Sequence, residues 1–452
     1  MILLVLGIAP AVQGRDYGAL YGNLPVSMKQ VSEPVIPERS IAITEFGAVR
    51  GELCTEAISD AVEALAAEGG GHIIVPRGEW TTGPIVLRSG IDLHLEKGAV
   101  LSFSTDKRLY LVKGKTVPCI SAEKCDNISI TGSGIIDGNG DWWRYVKHSK
   151  VKGADWERYL AMGGTVKGEG NDALWFPYNL KGHENITDSP EAEDALRTHM
   201  VVFKRCNAVM LRGVTLRNSP KFHFTPSMCT NVIVDGVTVE CPWYAQNGDG
   251  IDIGNSRVVL VTGCTLDVGD DAICMKGGSG KAGEERGPCE DVLICGNTVR
   301  HGHSGFAIGS DFSGGMRRIV VRDCLFDGTD TGLTFKSMIG RGGWCEDIFI
   351  ENVRMRGIVR EAVLFRCDYV DFTYRTVGAA TGVEYVPEFS DISISKIRCR
   401  GCATAVRAAG IDGHDCVHDV TIRDSKFTRA AVSTEINGAT ASISMVNCRF
   451  RH

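Results

Sequence analysis

The sequence predicts an all-β fold, a parallel β-helix or solenoid, with an N-terminal capping helix and one long insertion. A unit of seven or eight residues with strand-like alternation recurs along the chain, and its copies lie too close together for a helix to intervene. The composition agrees: 54 Gly against 14 Pro suits many tight turns between short strands better than a helical bundle.

Each unit reads as a small or sulfur residue, two polar positions, an apolar–x–apolar strand and a turn residue. Clear copies start at Cys125, Cys206, Cys229, Ser256, Cys289 and Met316, and further ones at Cys345, Phe389, Val417 and, faintly, Thr440. From Cys206 to Cys345 the starts differ by 23, 27, 33, 27 and 29 residues. Period-two alternation marks each unit as a strand with one face buried. Such a unit hides its apolar face only by stacking on neighbours, which makes a solenoid. Parallel stacking places equivalent residues in columns about 4.8 Å apart. A β-propeller is the rival, but its blades need roughly 40 residues each.

Upstream, Ala57, Ile58, Ala61, Val62, Leu65 and Ala66 form a helical stripe between Thr55 and Gly69 that fits a cap over the open end of the solenoid. Strand-like runs follow at 72–75, 84–87 and 91–95. Residues 141–197 break the repeat with charged residues and with Trp142, Trp143, Trp156 and Trp175. The simplest interpretation is one insertion from a turn, so that 39–452 form a single domain. Functional walls are often built this way.

A net charge of −6 and the lack of any run of five basic residues argue against a nucleic-acid partner. Hydrophobic content of 43% with 23% charged residues fits a chain that buries a real core. Residues 1–14 form an apolar run ending in small residues, similar to the core and cleavage region of a signal peptide but without its basic start. A buried N-terminal strand is the alternative. Nothing later approaches the ~20 apolar residues of a membrane span, so a secreted or periplasmic protein is expected. Seventeen Cys is an odd number, and many share one position of the repeat. There a free thiol serves as a small buried hydrophobe, which is preferred to a full set of disulfides. No two Cys-x-x-Cys motifs or His pairs have zinc spacing, and neither a metal nor a cofactor is implied.

A second strand aligns from coil to coil: Asp249-Gly-Ile-Asp-Ile, Asp271-Ala-Ile-Cys-Met, Ser304-Gly-Phe-Ala-Ile, Thr331-Gly-Leu-Thr-Phe and Glu361-Ala-Val-Leu-Phe. Ile251, Ile273, Phe306, Leu333 and Val363 are expected to point inward. In this register Asp249 lies over Asp271, and Asp270 comes near His303 on the next rung. Lys276 lies near Lys336, with Arg366 beyond. Carboxylates held within about 5 Å cannot all ionise freely, so at least one pKa should rise. That condition divides acid and base roles between like residues. An Asp beside Gly is by itself most simply a turn residue. Three in adjacent columns with His303 alongside point to chemistry.

These residues resemble the polygalacturonases of glycoside hydrolase family 28, from about Ala42 onward. The family's Asn-x-Asp looks like Asn247-Gly248-Asp249, its Gly-Asp-Asp like Gly269-Asp270-Asp271, and its Gly-His-Gly like Gly302-His303-Ser304, with Ser for the second Gly. Glu45-Phe-Gly-Ala, Gly83-Pro-Ile-Val-Leu, Leu93-His-Leu-Glu-Lys-Gly and Asp137-Gly-Asn-Gly-Asp-Trp-Trp are similar to bacterial, exo-acting members. The resemblance implies a right-handed β-helix and inverting hydrolysis of galacturonic-acid-containing pectic polysaccharide or oligosaccharide. It implies Asp270 as general acid, Asp249 and Asp271 as joint activators of water, and His303 as a tuner of the acid. Inverting carboxylates usually sit ~6.5–9.5 Å apart, wider than adjacent rungs.

The family's uronate-binding Arg-x-Lys meets Thr334-Phe335-Lys336 here, so Lys is kept and Arg is lost. A lone Lys lacks the bidentate fork of Arg. Arg341 and Arg197 are candidates to supply that charge, with solvated surface Arg as the alternative for both, and Lys276 and Asn247 are expected at the substrate. Trp142 and Trp143 suit sugar stacking or packing of the insertion, with packing preferred. The insertion would narrow a groove into a pocket on a monomeric enzyme and favour chain ends. The alternatives are a rhamnogalacturonan-directed hydrolase, a Ca²⁺-dependent pectate lyase and a non-catalytic glycan-binding solenoid.

Overall fold

The computed structural model describes residues 15–182, 184–368 and 384–452, so the signal-peptide expectation for residues 1–14 lies outside the described residues. The chain winds into a right-handed parallel β-helix. The repeat units fall in one 13-stranded sheet, among them Asp126–Gly132, Asn207–Arg212, Thr230–Asp235, Arg257–Thr262, Cys289–Cys295 and Met316–Arg322. Val209, Val232, Val259, Val292, Ile319 and Ile348 stack in register as one buried column. The turn residue that closes each unit has positive φ, as at Gly213, Gly236, Gly263, Asp323 and Asn352. Gly, Asn and Asp tolerate that left-handed conformation best, which accounts for their recurrence in the column.

One expectation is corrected. The sheet is covered on both faces, because the middle residue of the apolar–x–apolar motif is itself apolar in successive coils. Met210, Ile233, Leu260, Leu293 and Val320 point outward and are buried. Residues 15–38, which precede the expected domain, run along this face and pack Tyr17, Leu20, Tyr21, Leu24 and Val31 against it. Arg15 and the Tyr17 hydroxyl donate to Asp235 at 2.7 and 2.8 Å, and Arg212 pairs with Glu33.

The predicted cap is the helix Thr55–Ala67, which buries Ala57, Ile58, Ala61, Val62 and Leu65. The insertion leaves the helix after Ile135–Asp137 and returns at Val201–Lys204. It has a small core of its own around Val146, Trp156, Tyr159, Trp175 and Leu180. Trp143 is fully buried, edge-on to Tyr110 with ring centres 5.0 Å apart, so packing is its role. A buried ion pair, Lys107 to Glu193 at 3.0 Å, ties the insertion to the early coils. All 17 Cys are free thiols and all but Cys448 are buried, as small hydrophobes in a core would be.

The functional sheet stacks Phe224–Ser227, Ile251–Gly254, Ile273–Lys276, Ser304–Gly309, Thr331–Lys336 and Glu361–Arg366 in parallel. Ile251, Ile273, Phe306, Leu333 and Val363 form its inward column as predicted. Because residues 15–38 cover the opposite sheet, Ile233→Ala should cost about 2–4 kcal/mol, read as a shift in urea midpoint. A cost within about 0.5 kcal/mol, the value for an exposed site, would contradict that covering.

Candidate active site

The acids sit where the chain enters the strands of this sheet. Close backbone approach brings them together. A Cβ at Gly250 would lie 2.5 Å from the Ala272 carbonyl oxygen, and one at Gly269 would lie 2.5 Å from that of Ala245. Only Gly lets the loop carrying Asp249 settle directly on the turn carrying Asp270 and Asp271. One oxygen from each of Asp249, Asp270 and Asp271 lies within 4.8 Å of the others. Asp270 Oδ1 is 3.0 Å from His303 Nδ1 and also accepts from the Asp271 amide at 3.0 Å. Lys336 Nζ donates to Asp271 Oδ2 at 2.7 Å.

The sequence reasoning missed a fourth carboxylate. Asp252 is buried one rung from Asp271, lacks a hydrogen-bond partner at either oxygen, and has Lys276 Nζ 3.7 Å away. It occupies the outward x position of the aligned strand, beside Cys274, so the alignment already contained it. His223 was also missed. It is fully buried, its Nδ1 lies 2.8 Å from the Asp249 carbonyl oxygen, and its Nε2 accepts from the Ser219 amide. Burial lowers its pKa to about 4. It therefore works as a neutral brace for the acid loop. A third missed residue, Lys150 of the insertion, places Nζ 3.2 Å from His303 Nε2.

Burial pushes Asp249 well above the usual carboxylate range, and the charges of Asp252 and Asp270 add to the shift. Burial likewise lifts Asp252 to about 7 against the opposing pull of Lys276. Asp270 and Asp271 are displaced downward. Burial opposes their charge as well, but His303, Lys336 and Lys276 outweigh it at Asp270, and Lys336 and Lys276 do so at Asp271. Burial disfavours the His303 cation, yet Asp270 prevails and raises its pKa. The surroundings thus favour the proton-bound forms of Asp249, Asp252 and His303 and the charged forms of Asp270 and Asp271.

The other expected residues are placed as follows. Lys276 donates to the Gly309 carbonyl at 3.0 Å beside Asp252. Arg197 donates to the Gln246 carbonyl at 2.8 Å and to Asn247 Oδ1 at 3.2 Å, and it is paired with Asp194. It braces the acid loop and its charge is largely neutralised. Arg341 is buried against Ser310 and Asp311, at 3.0 and 3.3 Å. Thr334, at the position of the lost Arg, accepts from Ser304 at 2.8 Å.

Residues 146–448 match the family described as Glycosyl hydrolases family 28. The chain belongs to that family. This family 28 chain is 28% identical over 351 residues to an exo-poly-α-D-galacturonosidase of Dickeya chrysanthemi, a match covering 73% of the chain and 57% of that protein. It is 24% identical over 416 residues to an endo-polygalacturonase of Pectobacterium carotovorum subsp. carotovorum, covering 88% and 89% of the two. Its structure is similar to the crystal structure of a hyperthermoactive exopolygalacturonase from Thermotoga maritima, with TM-score 0.75, 27% identity and coverage of 93% and 94%.

The site of the family 28 chain is held under electrostatic tension, which sets a stability test. A carboxyl whose pKa is about 7 when folded and about 3.9 when unfolded binds its proton more tightly in the native state. Native stability is therefore lost as pH rises through that window. Asp252→Asn should stabilise the protein by about 1–3 kcal/mol near pH 8 and hardly at all near pH 4. Urea titrations at the two pH values check this, and an equal effect at both would assign the strain to another group.

Proposed function

We propose that the protein is a polygalacturonase-type hydrolase that releases units from the ends of galacturonic-acid-containing pectic polysaccharide or oligosaccharide, with inversion. The reading is carried by the meeting of Asp249, Asp270 and Asp271 on the outer face of one rigid sheet. Asp270 protonates the glycosidic oxygen, while Asp249 and Asp271 jointly activate the attacking water: protonated Asp249 orients it and anionic Asp271 takes its proton. Lys336 supports the anionic Asp271 that this base role needs.

The resting proton distribution calls for a shift before reaction. Groups coupled this closely titrate as a unit. The anionic uronate of an arriving substrate raises the proton affinity of its neighbours. Lys150, on the far side of the ring, weakens the hold of His303 on the proton of the His303–Asp270 hydrogen bond and so lowers the cost of moving it onto Asp270. Oxygens within 4.8 Å are closer than the ~6.5–9.5 Å usual for inversion, and the anomer first released, followed by NMR, tests the stereochemistry.

Chain-end action is supported by the insertion, which reaches the site through Lys150 and through Tyr159 against Tyr244. Lys336 and Lys276 already face the acids where a pectate lyase would need Ca²⁺. Thr334 in place of Arg favours one further reading, a neutral sugar at that subsite as in rhamnogalacturonan. Pectic polymers do not cross membranes, so action on a polymeric substrate fits a site outside the cytoplasm.

Asp270→Asn should lower kcat on oligogalacturonides by about 10²–10⁴-fold. With a nitrophenyl galacturonide, whose leaving group needs no proton, Asp270→Asn should lose far less than Asp249→Asn. Equal losses would remove Asp270 from the acid role. Monosaccharide as the sole early product is expected from a panel of pectic fragments, and mixed oligomers would refute the pocket.

Lys150→Met should leave KM nearly unchanged, lower kcat, and move the alkaline limb of the kcat profile to higher pH, because loss of a cation tightens proton binding at His303 and Asp270. An unmoved limb would make Lys150 a packing residue only.

A further inference from the structure

We propose a second binding surface for the polymeric substrate: a ladder of Arg and Lys on the short sheet that precedes the functional sheet in each late coil. The inference rests on the polyuronate reading above. Arg354–Arg356, the start of Arg398–Ala409, the start of Lys426–Ile436, and Arg449–Arg451 stack in parallel register. Met355, Cys399 and Phe427 point inward and are buried. The residues on either side of them point outward in two columns. One column reads Arg354, Arg398, Lys426, Arg449, and the other Arg356, Arg400, Thr428, Arg451.

Seven exposed cations therefore share two columns with rungs about 4.8 Å apart. Like charges directly opposite one another destabilise a sheet. Here they are hardly offset, since among the described residues the one side-chain ion pair in the ladder is Arg356 with Asp327. The chain as a whole carries −6, so the cluster does not reflect general basicity. It is densest in the late coils: earlier the same columns hold Thr215, Thr238 and Thr265, and Arg217, Glu240 and Asp267, with Arg217 paired to Asp137.

The surface has relief as well as charge. A groove of about 540 Å³ runs between Arg354, Arg356, Arg398 and Arg400, with Leu325, Asn352 and Asp323 also in its wall. Planar guanidinium groups in a row match a chain carrying one carboxylate per sugar. Each exposed pair contributes little, but a polymer engages several at once. Continuity with the cleft favours a pectate chain over nucleic acid. Strand Arg398–Ala409 pairs with the ladder at one end and with functional strand Glu361–Arg366 at the other. A polymer held there is tethered to coils continuous with the functional sheet, whereas an oligosaccharide short enough to fill only the cleft does not feel the ladder.

The test uses the full chain with Arg354, Arg398, Arg400 and Lys426 replaced by Gln, and a second variant with the three Arg replaced by Lys. Binding is read by retardation in gels containing polygalacturonate, in the Asp270→Asn background to prevent digestion. The Gln variant should bind polygalacturonate roughly tenfold or more weakly, and the Lys variant should keep most of the affinity. In the active background both should turn over trigalacturonate as the unsubstituted protein does. Unchanged retardation of the Gln variant would overturn the proposal, as would wild-type retardation by DNA but not by polygalacturonate. Failure of the hydrolase reading would show separately, as no turnover of trigalacturonate by the unsubstituted protein.

Discussion

Parallel in-register stacking of the coils is the constraint on which every other feature depends. Residues more than twenty positions apart become neighbours only because each apolar column continues from rung to rung. Ile251 on Ile273 and Ile273 on Phe306 fix the register that brings Asp249 over Asp271 and Asp270 beside His303. A slip of one residue would turn every side chain of the sheet to the opposite face. The buried columns forbid such a slip, so the outer face inherits their precision without needing strong contacts of its own.

That rigidity lets the fold hold a site that is unfavourable in itself. Four carboxylates are packed against Lys276 and Lys336, and burial works against all of them. A flexible surface would relax by separating the acids or admitting water. Here the strands cannot part, and the tension is divided among the proton affinities: Asp249 and Asp252 move up, Asp270 and Asp271 down. Like residues thereby acquire different states, the precondition for dividing acid and base work among them.

The repeat and the acid columns were legible because they are periodic. Each rung tests the same position again, and agreement among Asp249, Asp271, Ser304, Thr331 and Glu361 sets the alignment from sequence. The covering of the second face was written in the same units, where Met210, Ile233, Leu260, Leu293 and Val320 fill the position expected to be polar. A strand apolar at three consecutive positions is buried on both faces, yet nothing periodic in residues 15–38 identified them as the cover. Lys150 was out of reach for the same reason. It belongs to an insertion, and its approach to His303 depends on how that insertion packs around Trp156 and Trp175.

A division of labour follows from this contrast. On the proposed reading, chemistry falls to the acid cluster, where position is dictated by stacking, and selectivity to the insertion and to single outward positions that can change without disturbing the stack. The lost Arg at Thr334 illustrates it. Its replacement bonds to Ser304 within the sheet and leaves the catalytic column undisturbed. The positive charge around the acids is instead supplied by Lys276 and Lys336 from the sheet and by Lys150 from the insertion. Arg197 and Arg341, each neutralised by its own Asp, brace their surroundings. A solenoid can exchange such attachments at little cost to its core, because each coil contacts only its neighbours and a turn can lengthen without moving the strands on either side. Substrate preference can therefore change through the insertion and the outward columns while the acid cluster stays fixed.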